Sequence, residues 1–168
     1  LSPDLSGVEL AEIAQPAGEV LVRVRAASLN YPDLLMTRGL YQHRAEPPFV
    51  PGLEAAGTIL DVGEGVEGWK PGDRAVAMVG AAGAGFAEET TVKAASLLPT
   101  PEGMSDAAAA SLYVGHYTGY VGVVDRGRLQ PHETLVVFGA AGGVGLGAVQ
   151  IGLAMGATVI ATASTEAK

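Results

Sequence analysis

The six residues Ala140-Ala141-Gly142-Gly143-Val144-Gly145 follow an apolar run, Thr134–Phe138, and open a second one, Gly143–Met155. Glycine serves where backbone must take a positive φ or approach something closely, and clustering it costs folding entropy. The spacing is that of G-x-G-x-x-G with alanine at the first glycine position. A turn of this kind lets backbone N–H groups and a helix N-terminus meet a pyrophosphate. Ala141, Gly142, Gly143, Val144 and Gly145 are therefore the candidate dinucleotide contacts. The pattern alone is weak, and a glycine-rich turn without a ligand is the plain alternative. Its place after an apolar strand and before a small-residue helix is what gives it weight.

Cofactor choice is read at the end of the following strand, where a carboxylate would accept the ribose 2′-hydroxyl of NAD. This chain has Ala163-Ser164-Thr165 there, with no carboxylate before Glu166. Ser164 and Lys168 leave room and positive charge for a 2′-phosphate, so the sequence favours NADPH. Lys168 equally suits a solvated position at a helix start. A second glycine-rich stretch, residues 80–85, precedes no helix and reads as a hairpin loop.

The elements that must position these residues fall into two styles. Residues 19–27 alternate, with Val20, Val22 and Val24 on one face and Arg23 and Arg25 on the other, as in a half-exposed strand. Further strands are expected over Gly57–Val62, Arg74–Val79 and near Phe86–Val92, with turns at Gly63-Glu64-Gly65 and Pro71-Gly72-Asp73. Short strands with frequent turn signals suggest a compact barrel. After Leu98-Pro99 the character changes. Ser105 caps a helix entering the alanine run Ala107–Ala110 and continuing through Val124. Strand Thr134–Phe138, helix Gly143–Met155 with Gly156 at its C-terminal cap, and strand Thr158–Thr162 then form one βαβ unit. Thr134 to Thr165 carries no charge and could span a bilayer by length. Its central glycine density argues against a membrane helix and for strands apolar on both faces.

Composition excludes several function classes. Hydrophobic residues make up 48% and charged ones 17% of the 168 residues, which fits a buried core rather than disorder. The net charge of −8, with no basic stripe, speaks against nucleic acid or an anionic membrane as partner. Zero cysteines exclude disulfides, thiolate-bound zinc and thiol catalysis, and are compatible with a cytoplasmic setting. His43, His116 and His132 are too scattered for a local ligand motif.

Four segments carry a resemblance. Asn30-Tyr31-Pro32-Asp33 with Arg38-Gly39-Leu40-Tyr41, Val50-Pro51-Gly52-Leu53-Glu54-Ala55-Ala56-Gly57, Pro71-Gly72-Asp73-Arg74-Ala75 and Ala140–Gly147 together resemble the medium-chain dehydrogenase/reductase superfamily, in its zinc-free quinone oxidoreductase (zeta-crystallin-like) branch. The resemblance runs over nearly the whole chain. It implies an α/β plus β fold: a GroES-like barrel, residues 1–104, followed by the first βαβ unit of a Rossmann fold, residues 105–168, which is incomplete. Substrate and nicotinamide would meet in the cleft between the two domains. Zinc enzymes of the superfamily carry a catalytic cysteine, Gly-His-Glu and a cysteine-rich loop, whereas this chain reads Gly52-Leu53-Glu54.

The implied activity is NADPH-dependent, zinc-independent hydride transfer to quinones or α,β-unsaturated carbonyls. Asn30 and Tyr41 would border the substrate, with Tyr41 the candidate hydrogen-bond donor, and Thr118 would approach the nicotinamide. A pocket tyrosine of bacterial quinone reductases falls at Leu35, which makes an apolar enone or enoyl substrate reasonable. A family member would continue for roughly another equal length and complete the sheet. The chain is thus expected to be part of a longer, homodimeric enzyme or a truncation. An enoyl reductase, free-standing or within a polyketide synthase, and a non-catalytic interaction module are the alternatives.

Overall fold

The computed structural model describes residues 20–80 and 84–165. The chain divides into two compact units between Ser111 and Leu112.

In the first unit the alternation at residues 20–27 produces strand β1 (Val20–Ala27), with Val20 and Val22 buried and Arg23 and Arg25 exposed. Helix α1 (Tyr31–Thr37) follows, then β2 (Glu54–Val62), β3 (Arg74–Met78), β4 (Glu89–Val92) and β5 (Leu97–Pro99). They form one antiparallel sheet of five strands in the order β4-β1-β2-β3-β5. Val22 pairs with Ile59, and the β1–β2 register shifts between Val24 and Ala26, a bulge that bends the strand. Val20, Val22, Ile59, Ala75, Ala77 and Val92 make the core, with Trp69 packed against it.

Strands β3 and β4, on either side of the stretch 80–85, do not form the expected hairpin, because β4 pairs with β1 and β3 with β2; residues 81–83 lie outside the described residues. The Phe86 segment also does not begin the strand, which starts at Glu89. The physical reason is a competing set of backbone bonds. Ala84 N–H donates to the Val50 carbonyl at 2.7 Å and Phe86 N–H to that of Pro51 at 3.0 Å, tying this segment to the loop before β2.

Past β5, Ser105 accepts from Ala108 N–H at 3.2 Å and caps α2 (Asp106–Ala109), as its sequence suggests. The expected single helix through Val124 is instead interrupted. Two π-helical stretches, Leu112–Tyr117 and Val121–Arg126, flank a short α3 (Thr118–Tyr120) in the second unit. Glycines explain what this segment does. A Cβ on Gly119 would lie 2.9 Å from the Ala148 amide nitrogen, and one on Gly147 would lie 2.9 Å from His116 Cα. The two backbones cross with almost no side chain between them.

The rest of the second unit is the expected βαβ. Strand β6 (Thr134–Val137), helix α4 (Gly143–Ala154) and strand β7 (Thr158–Ala161) follow in order, and β6 pairs with β7 in parallel. Val137, Ala148 and Ala157 are buried with Val123 and Leu129. Val136 and Ile160, paired across the strands, are about half exposed at 47% and 50%. No helix among the described residues is long and apolar enough to cross a membrane.

Candidate functional site

The glycine turn leaves β6 through Gly139, which takes φ +67°. The positive-φ position therefore precedes Ala140, and the alanine at the first motif position sits in ordinary backbone, its N–H donating to the Thr162 carbonyl at 3.0 Å. Gly142 is the N-cap of α4, in extended conformation and with no side chain to cap the helix. The first bond inside the helix runs from Leu146 N–H to the Gly142 carbonyl at 2.8 Å. The amides of Gly143, Val144 and Gly145 therefore have no acceptor within the helix.

The glycines Gly142, Gly143 and Gly145 differ in what they permit. A Cβ on Gly145 would collide with the Gly139 carbonyl oxygen and stand 2.8 Å from Ala140 Cα, so this glycine lets the helix start close against the turn. A Cβ on Gly143 would meet nothing within 4 Å, and one on Gly142 only the Gly139 oxygen at 3.4 Å. No packing demand keeps Gly143 bare. Open backbone at a helix N-terminus with unpaired amides is an arrangement that suits an anion. Gly115 abuts the same turn, since its Cβ would lie 3.2 Å from the Gly143 carbonyl oxygen. Thr118, exposed, adjoins Gly119 at the same helix crossing.

Ser164 follows β7 at the end of the sheet from which the glycine turn also leaves, two residues beyond Thr162, whose N–H donates to the Val137 carbonyl at 3.0 Å. Thr162–Thr165 contains no carboxylate. Lys168 lies outside the described residues.

In the first unit the structure places Asn30 as the N-cap of α1 and Tyr41 in the loop after that helix, its ring 6.4 Å from that of His43. Leu35 lies within α1, half-buried. Two carboxylates that the sequence shows only within longer motifs surround Asn30. Asp33 Oδ2 accepts from the Asn30 backbone N–H at 2.7 Å, and Glu54 Oε1 accepts from Asn30 Nδ2 at 2.9 Å. Asp33 is 1% and Glu54 0% exposed. Charged residues on a strand and on a helix ordinarily read as solvated, so nothing in the pattern marks them as buried. Among the described residues no group of three His, Cys, Asp or Glu side chains could hold a metal ion.

Burial pushes the Asp33 carboxyl above its ordinary value of 3.8, opposed by the amides of Asn30, Gly52 and Leu53 that bear on it. Its Oδ1 has no partner of full hydrogen-bond geometry. Because the folded value is the higher one, the stabilising contribution is complete below pH 3.8 and is lost as pH rises through the folded value. Asp33→Asn removes that loss. The variant should gain on the parent as pH increases from 3.8, read as urea midpoints at a series of pH values. Parallel pH curves for the two proteins would refute this origin.

The alcohol dehydrogenase GroES-like domain model matches residues 16–102. The human synaptic vesicle membrane protein VAT-1 homolog is 41% identical over 150 residues, 89% of this chain and 38% of that protein. Acryloyl-coenzyme A reductase of Metallosphaera sedula is 36% identical, with 96% of this chain and 57% of that protein covered. Among solved structures, the quinone oxidoreductase of Thermus thermophilus, determined also as its complex with NADPH, superposes with a TM-score of 0.78. It is 39% identical, with 95% of this chain and 50% of that one covered. The chain thus spans about half the length of the relatives it matches.

Proposed function

The chain belongs to the medium-chain dehydrogenase/reductase superfamily, to its GroES-like domain family and quinone oxidoreductase branch, and from that premise we propose that it serves an NADPH-dependent, zinc-independent reduction of quinones or α,β-unsaturated carbonyls. The observation that carries this reading is the bare backbone at the start of α4, where the amides of Gly143, Val144 and Gly145 have no acceptor within the helix and a Cβ on Gly143 would meet only open space.

In this reading the amides of Gly143, Val144 and Gly145 hold the pyrophosphate, with Ala141 and Gly142 shaping the turn beneath it. Ser164 and Lys168 receive the 2′-phosphate, which the absence of a carboxylate over Thr162–Thr165 permits. Thr118 borders the nicotinamide. NADPH, when bound, supplies the hydride. Tyr41 donates a hydrogen bond to the substrate oxygen as charge gathers there, and Asn30 orients the reactants beside it. With no cysteine among these residues to hold a metal through a thiolate, oxyanion stabilisation rests on the Tyr41 hydroxyl.

A second reading, reduction of an enoyl substrate, is favoured by one position. Leu35 presents an aliphatic side chain where a phenol would suit a quinone, and a reductase of an acyl-coenzyme A thioester is among the similar proteins. Product analysis with a quinone and an enoyl thioester separates the two.

The test is a fluorescence titration of the full chain with NADPH and with NADH. Saturable binding at least about tenfold tighter for NADPH, a difference of about 1.4 kcal/mol, is the expected result. Equal affinity for the two would remove the role given to Ser164 and Lys168. A folded chain binding neither would overturn the assignment of the glycine turn in this chain.

A further inference from the structure

Two carboxylates taken almost wholly out of water converge on one residue, the only asparagine of the 168, one at its backbone N–H and one at its side chain. Burying carboxylates is costly unless hydrogen bonds compensate, so the use to which they are put is informative. Asp33 holds the Asn30 backbone N–H at 2.7 Å, and Glu54 holds its Nδ2 at 2.9 Å. Nδ2 also donates to the Ser28 carbonyl oxygen at 3.3 Å.

The Ser28 carbonyl can only accept, which fixes the amide the right way round whatever the protonation of Glu54. Turning the amide over would set Oδ1 against two oxygens, the Ser28 carbonyl and Glu54 Oε1. A primary amide has two N–H donors, and both are spent. Oδ1 faces the Asp33 backbone N–H in the capping box of α1, and with two lone pairs it retains acceptor capacity beyond that contact. Resting on the reading of Asn30 as a residue of the substrate and cofactor pocket, we propose that Glu54 is a positioning residue that makes Asn30 an obligate acceptor, so the ligand group it meets carries an N–H or O–H donor.

The consequence for chemistry is a division of labour. Asn30 does not stabilise negative charge on the substrate oxygen, because an acceptor there would repel it. It selects instead for a ligand with a carboxamide or hydroxyl hydrogen, and Tyr41 is left as the donor.

Because the chain contains a single asparagine, asparagine-selective nitrogen-15 labelling gives one side-chain amide pair to follow by NMR in the ligand-free full chain. Both protons should exchange at least about tenfold more slowly than those of a free asparagine amide. Glu54→Leu should abolish that protection at the proton facing residue 54, and Glu54→Gln, whose carbonyl still accepts, should restore it. Circular dichroism keeps loss of fold apart from loss of the bond, and the Gln variant tests the idea even if the Leu variant does not fold. Unprotected protons in the parent, or protection unchanged in Glu54→Leu, would overturn the proposal. On addition of NADPH the amide protons should stay protected, and their transfer to a new acceptor would also overturn it. Absence of NADPH binding would count against the proposed function, while the ligand-free measurements decide the role of Glu54.

Discussion

Gly145→Ala is expected to cost about 1–3 kcal/mol of stability through overpacking and to eliminate NADPH binding together with it. The added methyl would run into the Gly139 carbonyl oxygen and lie 2.8 Å from Ala140 Cα, both backbone atoms, so no side chain can swing away. The relief available is a shift of α4 away from the turn. Such a shift displaces the amides of Gly143, Val144 and Gly145 at once. Gly143→Ala is the control with the opposite profile. Its methyl meets nothing within 4 Å of the protein, so stability should hold or rise slightly. NADPH affinity should nevertheless fall tenfold or more, about 1.4 kcal/mol, because the methyl occupies the surface assigned to the phosphates. Urea denaturation and NADPH titration of both variants read the two effects separately. If Gly143→Ala binds NADPH as the parent does, the cradle does not hold phosphate.

Gly57→Ala should be the more damaging change, costing about 3 kcal/mol or more and leaving little soluble protein. Gly57 sits in β2, between β1 and β3, and faces Val24 across the first pair. A Cβ there would fall on the Arg23 carbonyl oxygen and come within 3.2 Å of Val22 Cγ1. Strand β2 cannot retreat, because its other edge is bonded to β3. Trp69, the chain's one tryptophan, packs against this core and gives the fluorescence signal for unfolding. An unchanged urea midpoint would show that β1 and β2 are farther apart than described.

Local pattern carried much of this architecture. The alternation over residues 20–27 marks β1 because one face meets a core and the other meets water. The sequence Thr134–Ala161 is read as strand, turn, helix and strand because each neighbour in that unit is also near in the chain. Strand order is different. That β4 joins β1, and not β3, depends on pairing between distant segments, for which turn residues give no signal. Likewise Gly115, Gly119 and Gly147 look like helix weakeners in one dimension. Their purpose emerges only when the two segments cross. In the candidate site the glycine turn is legible from its spacing, whereas the burial of Asp33 and Glu54 is not, since a carboxylate in a short motif looks the same whether solvated or enclosed.

The pairing of β1 with β4 has a consequence during synthesis. Strand β1 is made well before its outer partner: Arg23 waits for Glu89, 66 residues later, before their side chains can meet. At ribosomal speeds of about 5–20 residues per second that interval is roughly 3–13 seconds. Throughout it, Val20 and Val22 lack one of their covering neighbours. Arg23 and Arg25, exposed among those valines, put charge on a segment that would otherwise invite nascent chains to pair with one another. The glycine turn, by contrast, emerges with its partners close behind it and completes its unit from nearby residues. Protection of the newborn chain from its neighbours is thus written into the same short strand that later anchors the sheet.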